Sequence, residues 1–351
     1  MKKLSKAGIA IIIIIMLASV LLIAGCKTTS ADTGKSGVTT ESSSVPEKES
    51  SASVTNTDAD NSGQENKNEK IEVTDGMGNI LKLEKAAEKI IVLTPSVLEI
   101  FDGLNAMDRI VEVDNWTVEM GEPLAQGFQG AGDANGINFE MVTKLDPDLV
   151  IVVGFGLNED YKKLYDLGYQ VYLTNSTSLS ATYTEIENMG KIIGMEKEGK
   201  ELSSNLKSGI DEISEKLKNI SEDKKPKVFY MVWNDPIMSA GKNTFISELI
   251  EIAGGINIVA EDGLSDWPEY SIEKLIENNP DIIIAPVSMA PDASVILNDS
   301  RFSSINAVIN EKVYIIPDNP ISRPNQNVIK GLQMLSKAIH PEIFGEFEII
   351  Q

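Results

Sequence analysis

The chain has 351 residues and a formal net charge of −22, with one cysteine and one histidine. This charge argues against nucleic acid binding and against long-range attraction of a polyanionic substrate. The single cysteine excludes an internal disulfide, and the single histidine excludes a three-histidine metal site. His340 stands near the C-terminus before Pro341, and no Gly-x-Ser-x-Gly motif occurs. A histidine-dependent triad or acid–base pair therefore has little support, and we expect no enzymatic activity.

Residues 1–25 predict a lipoprotein signal peptide. Lys2 and Lys3 precede a long apolar run, which ends in small residues before Cys26. The run is nearly long enough for a signal-anchor helix, which is the alternative. However, Leu-Ile-Ala-Gly-Cys at 22–26 resembles the bacterial lipobox, in which the cysteine is diacylated and becomes the mature N-terminus. We therefore expect an extracytoplasmic protein that is anchored to the cell membrane by lipidated Cys26.

Residues 26–68 predict the lipidated cysteine followed by a disordered polar tether. The segment is rich in Ser, Thr, Asp, Glu and Asn, and it has too few apolar side chains to offset the entropy of ordering. Its length suggests a Gram-positive surface, although composition does not fix the envelope type. The remaining residues, 69–351, suit two modest lobes better than one core.

Apolar, β-rich runs predict an α/β fold with two pseudo-symmetric lobes of mainly parallel sheet. Such runs are typical of strands that helices cover on both faces. Before them, an alternation around Asp75-Gly76 predicts a hairpin in residues 71–84. The first set of strands is predicted at 89–95, 109–114, 148–154 and 170–175, and the second set at 227–233, 281–287 and 312–318.

One long backbone helix is predicted to join the lobes. Leucine and isoleucine recur at helical spacing through residues 196–220, and no Gly/Ser hinge interrupts them. We therefore expect an N-terminal lobe at 69–180, a linking helical segment at 181–224 and a C-terminal lobe at 225–351. The connection should be stiff.

A helix-to-strand unit occurs twice, in a register that aligns Glu140 with Glu273. Asn138 and Ser271 are suitable N-cap residues, and a Pro-Asp pair follows each helix before an apolar strand. Helices that follow parallel strands begin at the carboxyl edge of the sheet, where α/β proteins bind ligands. Both glutamates are therefore expected on that edge. They could instead serve only their helix termini, but two copies in register favour a shared role.

Three tryptophans predict an aromatic-walled cleft at the same edge. Trp116 and Trp233 lie at the ends of predicted strands, and Trp267 lies in the loop before Ser271. The alternative is that each ring packs as a lid on its own lobe. Further ligand-binding candidates in loops at this edge are Ser96, Phe155, Met238, Lys242 and Arg323, of which Arg323 is the only arginine.

Five segments together resemble the substrate-binding proteins of ABC importers for ferric siderophores, haem and vitamin B12. They read KIIVLTPSVLEIFDGLNAMDRIVEV, INFEMVTKLDPDLVIV, GKNTFISELIEIAGGINIV, DWPEYSIEKLIENNPDIII and AVINEKVYIIPDNPISRP, and HPEIF follows later. The resemblance implies two α/β lobes on one long helix, with the ligand in the cleft between them and little movement on closure. It also implies that one acid on each lobe contacts arginines of the two permease subunits. Glu140 and Glu273 match those positions.

The resemblance leaves the ligand open among several chelates. We favour a cobalamin-like corrinoid, because Trp267-Pro268 before Ser271 resembles the pattern of vitamin B12-binding members. A ferric siderophore is a close second, with neutral hydroxamates preferred, since only Arg323 and Lys242 would meet an anionic catecholate. Haem is the third candidate, with Tyr270 or Met238 as a conceivable axial ligand. No covalently bound cofactor and no resident metal are expected, because a chelated metal arrives with its ligand.

The partners implied by the resemblance are an ABC permease dimer with its ATPase, and the binding protein itself is expected to be monomeric. Two other classes of function remain open from the sequence. One is a lipid-anchored sensor or scavenger that works without a permease. The other is a surface enzyme built on the same two lobes.

Overall fold

The computed structural model describes residues 70–133, 135–154 and 160–349. The predicted signal peptide, Cys26, the polar tether and Phe155 lie outside the described residues. No helix within those ranges combines the length and hydrophobicity that crossing a bilayer requires.

The strands are β1 (Ile71–Thr74), β2 (Ile80–Leu83), β3 (Ile90–Leu93), β4 (Ile110–Val113), β5 (Gly132–Asp133), β6 (Gly136–Ile137), β7 (Leu149–Val153), β8 (Val171–Thr174), β9 (Lys227–Asn234), β10 (Ile237–Ser239), β11 (Ile256–Asn257), β12 (Ile282–Pro286) and β13 (Val313–Ile316). The helices are α1 (Pro95–Gly103), α2 (Asn115–Glu119), α3 (Phe139–Leu145), α4 (Asp160–Asp166), α5 (Leu179–Ile192), α6 (Glu196–Leu217), α7 (Phe245–Ile252), α8 (Ile258–Glu261), α9 (Ile272–Asn278), α10 (Ser294–Leu297), α11 (Asn306–Ile309), α12 (Asn319–Ser322), α13 (Val328–Ile339) and α14 (Pro341–Phe344). The strands predicted from apolar runs are confirmed, with ends that shift by at most two residues.

The first large sheet has the strand order β4-β3-β7-β8, and all of its pairings are parallel. The predicted hairpin is confirmed, since β1 and β2 pair antiparallel just before this sheet. Asp75 closes the hairpin turn by accepting the N–H groups of Met77 and Asn79 at 2.9 and 2.8 Å. The same carboxylate accepts the N–H of Leu173 at 3.2 Å, which attaches the hairpin to β8.

The second large sheet repeats this order. Its path is β10-β9-β12-β13, and β11 also pairs with β9. β9 is eight residues long, so one edge of it pairs with β11 near its start and with β10 near its end. The parallel set β11-β9-β12-β13 therefore matches β4-β3-β7-β8, strand for strand, and only β10 runs antiparallel. The predicted pseudo-symmetric α/β architecture is confirmed.

In each sheet, one face packs into one buried cluster and the other face packs into a second cluster, as is typical of parallel sheets covered on both sides. In β3, Ile90 and Val92 join one buried cluster, whereas Ile91 joins another. The cluster that contains Ile90 also contains Val228 of β9, together with residues of α5, α6, α7 and α13. These helices form a layer that the inner faces of both sheets share.

The repeated unit has the same local structure in both halves. The side chains of Asn138 and Ser271 cap α3 and α9 by accepting a backbone N–H three residues later, at 3.1 and 3.2 Å. Both helices have seven residues, and the residues that follow them, Asp146 and Asn279, are left-handed with φ of 46°. The predicted N-caps are confirmed.

The aspartate of each Pro-Asp pair ties the helix end to the central strand of its sheet. Asp148 accepts the N–H of Lys89 before β3 at 3.0 Å, and Asp281 accepts the N–H of Lys227 in β9 at 2.9 Å. Each of these lysines then donates its Nζ to a main-chain carbonyl at the end of the same helix. The Pro-Asp pair recurs because both halves need this connection.

The long helix between the two sheets is confirmed as α6, which ends at Leu217 and not at Ile220. The predicted linking segment also contains most of α5, so it holds two helices packed together. They approach closely at two glycines: a Cβ added to Gly190 would lie 2.7 Å from Cα of Gly199 and 2.8 Å from the carbonyl oxygen of Met195. This contact brings the linking helix against the N-terminal half.

We expect Gly190→Ala to lower the free energy of unfolding by about 1–3 kcal/mol, because the new methyl would meet only main-chain atoms. This loss would appear although alanine favours a helix over glycine by about 1 kcal/mol. Gly209→Ala in α6 is the matched control, since its Cβ would meet only the flexible end of Ile329, at 3.1 Å. Urea unfolding of residues 27–351, followed by circular dichroism, measures both. Equal effects of the two substitutions would contradict the close helix contact.

Candidate ligand-binding site

Two predicted site residues lie at the carboxyl edge of the first sheet. Ser96 is in the first turn of α1 after β3, and its hydroxyl lies 3.0 Å from that of Thr94. Trp116 is in α2 after β4 and is half-buried. Asp114 caps α2 by accepting the N–H and the hydroxyl of Thr117 at 2.8 and 2.6 Å. Both site residues therefore stand on helix starts that follow parallel strands, as predicted.

Three predicted site residues share one patch of the second sheet, here called the tryptophan edge: Trp233, Met238 and Trp267. Trp233 and Met238 are directly opposite each other in the β9–β10 pair. Met238 forms a second bridge with Glu269, so the segment that contains Trp267 extends this sheet edge. All three side chains are half-buried, and Trp267 packs against the core that both sheets share. Directly opposed residues point to the same face of a sheet, so Trp233 and Met238 lie together.

Lys242 belongs to the same edge through its main chain. Its N–H donates to Leu264, and its carbonyl accepts from Asp266, both at 2.8 Å. The residue as a whole is exposed. Its ammonium group therefore stands in water, where a charge attracts an anion only weakly.

Arg323 contacts acids of the other half, and its role in ligand binding stays a prediction. Its Nη1 lies 2.8 Å from Oε1 of Glu99 in α1 and 2.8 Å from Oε2 of Glu122. Nη2 donates to the other oxygen of Glu122, so that pair is bidentate. The side chains of Arg323, Glu99 and Glu122 are only 12, 12 and 19% exposed. The arginine therefore links the two halves of the protein.

Neighbouring side chains complete this network. Asn325 and Asn327 donate to Oε2 of Glu99 at 3.0 and 2.8 Å, and Gln326 donates to its main-chain oxygen at 2.6 Å. Burial acts to lower the pKa of Arg323, but hydrogen bonds and charge from the two glutamates outweigh it and raise the pKa. The guanidinium is therefore charged throughout the physiological range.

Asp114 is the third acid near this arginine. It is 1% exposed, and burial raises its pKa, although hydrogen bonds from Thr117 and the charge of Arg323 act in the opposite direction. The reasoning from sequence missed all three acids. The sequence does contain a hint of this contact. Glu99 interrupts an otherwise apolar helix, and Arg323, the only arginine among the predicted ligand-binding residues, lies in a strongly acidic protein.

A second arginine, Arg301, also reaches a strand end. Nη1 of Arg301 donates to the carbonyl of Asn234 at the end of β9, at 3.2 Å. Asp299 accepts from the same guanidinium at 2.7 Å, and that hydrogen bond is the main reason that the pKa of Arg301 is raised. This cation is also paired with an acid.

Two side chains considered as axial ligands of haem, those of Tyr270 and His340, are buried and hydrogen-bonded to other groups. Tyr270 is 1% exposed; its hydroxyl donates to Asp262 at 2.7 Å and accepts from Asn278 at 2.6 Å. Burial, and then the bond to Asp262, raise the pKa of this phenol. His340 is 3% exposed, and its Nε2 donates to the carbonyl of Gly254 at 3.1 Å. The suggestion of Tyr270 as an axial ligand is therefore wrong.

Two surface cavities of about 340 Å³ each lie apart from the predicted ligand residues. One lies at the end of β8 and includes Asn175, Ser176 and Glu185; the other lies among α6, α13 and α14. Burial raises the pKa of Glu185, partly offset by a hydrogen bond from Ser176. Drug-sized ligands already fill roughly 300–1,000 Å³, so neither cavity would enclose a corrinoid. In the described ranges, no group of three or more His, Cys, Asp or Glu side chains is arranged to hold a metal ion.

Comparison with known proteins identifies relatives over most of the chain. The uncharacterised ABC transporter substrate-binding lipoprotein YvrC of Bacillus subtilis is 31% identical over 284 residues, which are 79% of this chain and 87% of YvrC. A cobalamin-binding protein of Halobacterium salinarum is 23% identical over 272 residues, which are 76% of this chain and 73% of that protein.

Comparison with solved structures finds binding proteins that share the fold of this chain. A possible iron-binding periplasmic solute-binding protein of Staphylococcus epidermidis aligns with a TM-score of 0.64 and 29% identity, over 73% of this chain and 100% of that one. The molybdate-binding protein MolA of Haemophilus influenzae, solved with molybdate bound, aligns with a TM-score of 0.69 and 22% identity, over 78% of this chain and 92% of MolA.

A family model described as periplasmic binding protein matches residues 90–320, which contain both large sheets and the helices between them. The resemblance to substrate-binding proteins of ABC importers is thereby confirmed, and the chain belongs to the periplasmic binding protein family.

Proposed function

We propose that the protein is an extracytoplasmic substrate-binding lipoprotein that captures a metal chelate and delivers it to an ABC importer. A cobalamin-like corrinoid is the favoured ligand. Lipidation at Cys26 would hold the protein at the membrane, and the name of the relative YvrC supports this part of the proposal. The ligand would lie between the carboxyl edges of the two sheets, where α/β proteins bind small molecules.

The tryptophan edge is the observation that carries the choice of ligand. Trp233, Met238 and Trp267 offer polarisable, half-buried surface on one patch. Corrinoids are bulky and close to neutral, so contact with such surface would provide most of the affinity. The cobalamin-binding relative from Halobacterium salinarum supports this choice.

The charges at this edge favour a neutral ligand. Arg323 and Arg301 are paired with acids, and Lys242 is exposed to water. A ferric siderophore remains the second candidate, and a neutral hydroxamate complex suits these charges better than an anionic catecholate. Haem is weakened as a candidate, since Tyr270 and His340 are committed to other partners and Met238 is left as the conceivable axial ligand.

Paired exposed acids support delivery to a permease and disfavour a sensor or scavenger without transport. Glu140 and Glu273 are both exposed and stand in the first turn of equivalent helices, α3 and α9. Two equivalent acids, one in each half, would match a permease dimer with two-fold symmetry. Exposed charge pairs of this kind determine register and specificity more than affinity.

We expect cyanocobalamin to quench the tryptophan fluorescence of the full chain saturably, after correction for absorption of light by the ligand. Trp267→Ala should weaken binding about tenfold or more, because a large aromatic contact is lost. Tyr165→Ala is the matched control: its side chain is 43% exposed, lies in α4 and should leave binding unchanged. Circular dichroism checks that both variants are folded. If only ferric hydroxamate binds, the transport proposal stands and the corrinoid is wrong.

We expect the double substitution Glu140→Ala and Glu273→Ala to reduce uptake of labelled ligand about tenfold or more in cells that carry the cognate importer. Ligand binding by the purified protein should not change, because both side chains face water. Glu198→Ala removes an exposed first-turn glutamate from α6 and serves as the control. Uptake equal to wild type in the double variant would exclude these acids from the permease contact.

A further inference from the structure

Arg323 is the centre of a carboxylate cluster that joins the two halves of the protein. Three N–H···O contacts connect its guanidinium to Glu99 and Glu122, and two of them measure 2.8 Å. None of the three side chains is more than 19% exposed, so little water competes for these contacts. A ligand at this edge would therefore meet a paired charge and not a free cation.

Glu99 is held in place independently of the arginine. The amide groups of Asn325 and Asn327 donate to its second oxygen, and Gln326 donates to its main-chain carbonyl. The short segment 323–327 thus contacts one glutamate of the opposite half through four side chains. A carboxylate fixed in this way is preorganised to bind the guanidinium.

Acids outnumber cations in this cluster. Both Glu99 and Glu122 contact the one guanidinium of Arg323, so two carboxylates face a single cation. An incoming anion would have to displace both glutamates from Arg323 and then remain near their charges. A neutral or cationic molecule meets no such opposition.

We propose that Glu99 and Glu122 mask Arg323 and thereby determine the charge of the ligand that the protein accepts. Neutral or cationic chelates bind, whereas anionic chelates are rejected. This inference rests on the proposed function only in placing Arg323 on the wall of the ligand cleft. It names the two glutamates as specificity-determining residues, which need not touch the ligand.

The same ion pairs could instead serve only to hold the two halves together. That role predicts that neutralising the glutamates loosens the protein without creating affinity for anions. Masking predicts that neutralising the glutamates raises the affinity for anionic chelates, and that this rise requires Arg323. A gain of this kind cannot result from loosening alone.

The experiment compares full chains purified in detergent: wild type, Glu122→Gln, the double variant Glu99→Gln with Glu122→Gln, and that double variant with Arg323→Gln added. Glutamine keeps the size of glutamate and removes its charge. Glu119→Gln is the matched control, because Glu119 is an exposed acid at the end of α2. Isothermal titration calorimetry measures binding of a ferric tricatecholate complex, of molybdate and, in parallel, of cyanocobalamin.

We expect the association constant for the tricatecholate complex to rise about tenfold or more in the double variant, to rise less in Glu122→Gln, and to return to the wild-type value when Arg323 is also replaced. Glu119→Gln should resemble wild type. No gain in a folded Glu122→Gln or double variant would overturn the proposal. So would a gain that survives Arg323→Gln, since net charge alone would then explain it. If neither wild type nor any variant binds cyanocobalamin but the double variant gains affinity for the tricatecholate complex, the corrinoid assignment is wrong and the masking proposal stands.

Discussion

The two sheets of this protein depend on one shared layer of buried helices. Alternate residues of β3 and β9 enter the same cluster, and α5, α6, α7 and α13 supply the side chains between them. Because each parallel sheet must cover both faces, neither half can complete its core without this layer. The shared layer therefore connects the two sheets through buried side chains.

A second connection between the two halves is the ion-pair cluster of Arg323. Arg323 binds Glu99 and Glu122 over more than two hundred positions of sequence. Its position at the strand ends means that the contact which joins the halves also consumes a cation of the candidate site. Under the proposal above, the side chains that link the two halves would also select the charge of the ligand.

Much of the fold could be predicted from sequence because each element carries a local signal. The strands are continuous apolar runs, Asn138 and Ser271 are N-caps with clear spacing, and the repeat of Glu140 at Glu273 reveals the pseudo-symmetry. The candidate site was predicted less well, because its decisive contacts join residues far apart in sequence. No local pattern pairs Arg323 with Glu99, because that contact depends on how the two halves pack.

The central claim is that a corrinoid binds between the carboxyl edges of the two sheets, beside the tryptophan edge. Crystals of the protein grown with cyanocobalamin would test it through anomalous scattering at the cobalt absorption edge. The account predicts one cobalt peak between the two edges, near Trp267 and Met238. A peak elsewhere, such as the cavity beside Glu185, or no cobalt peak at saturating ligand, would contradict it.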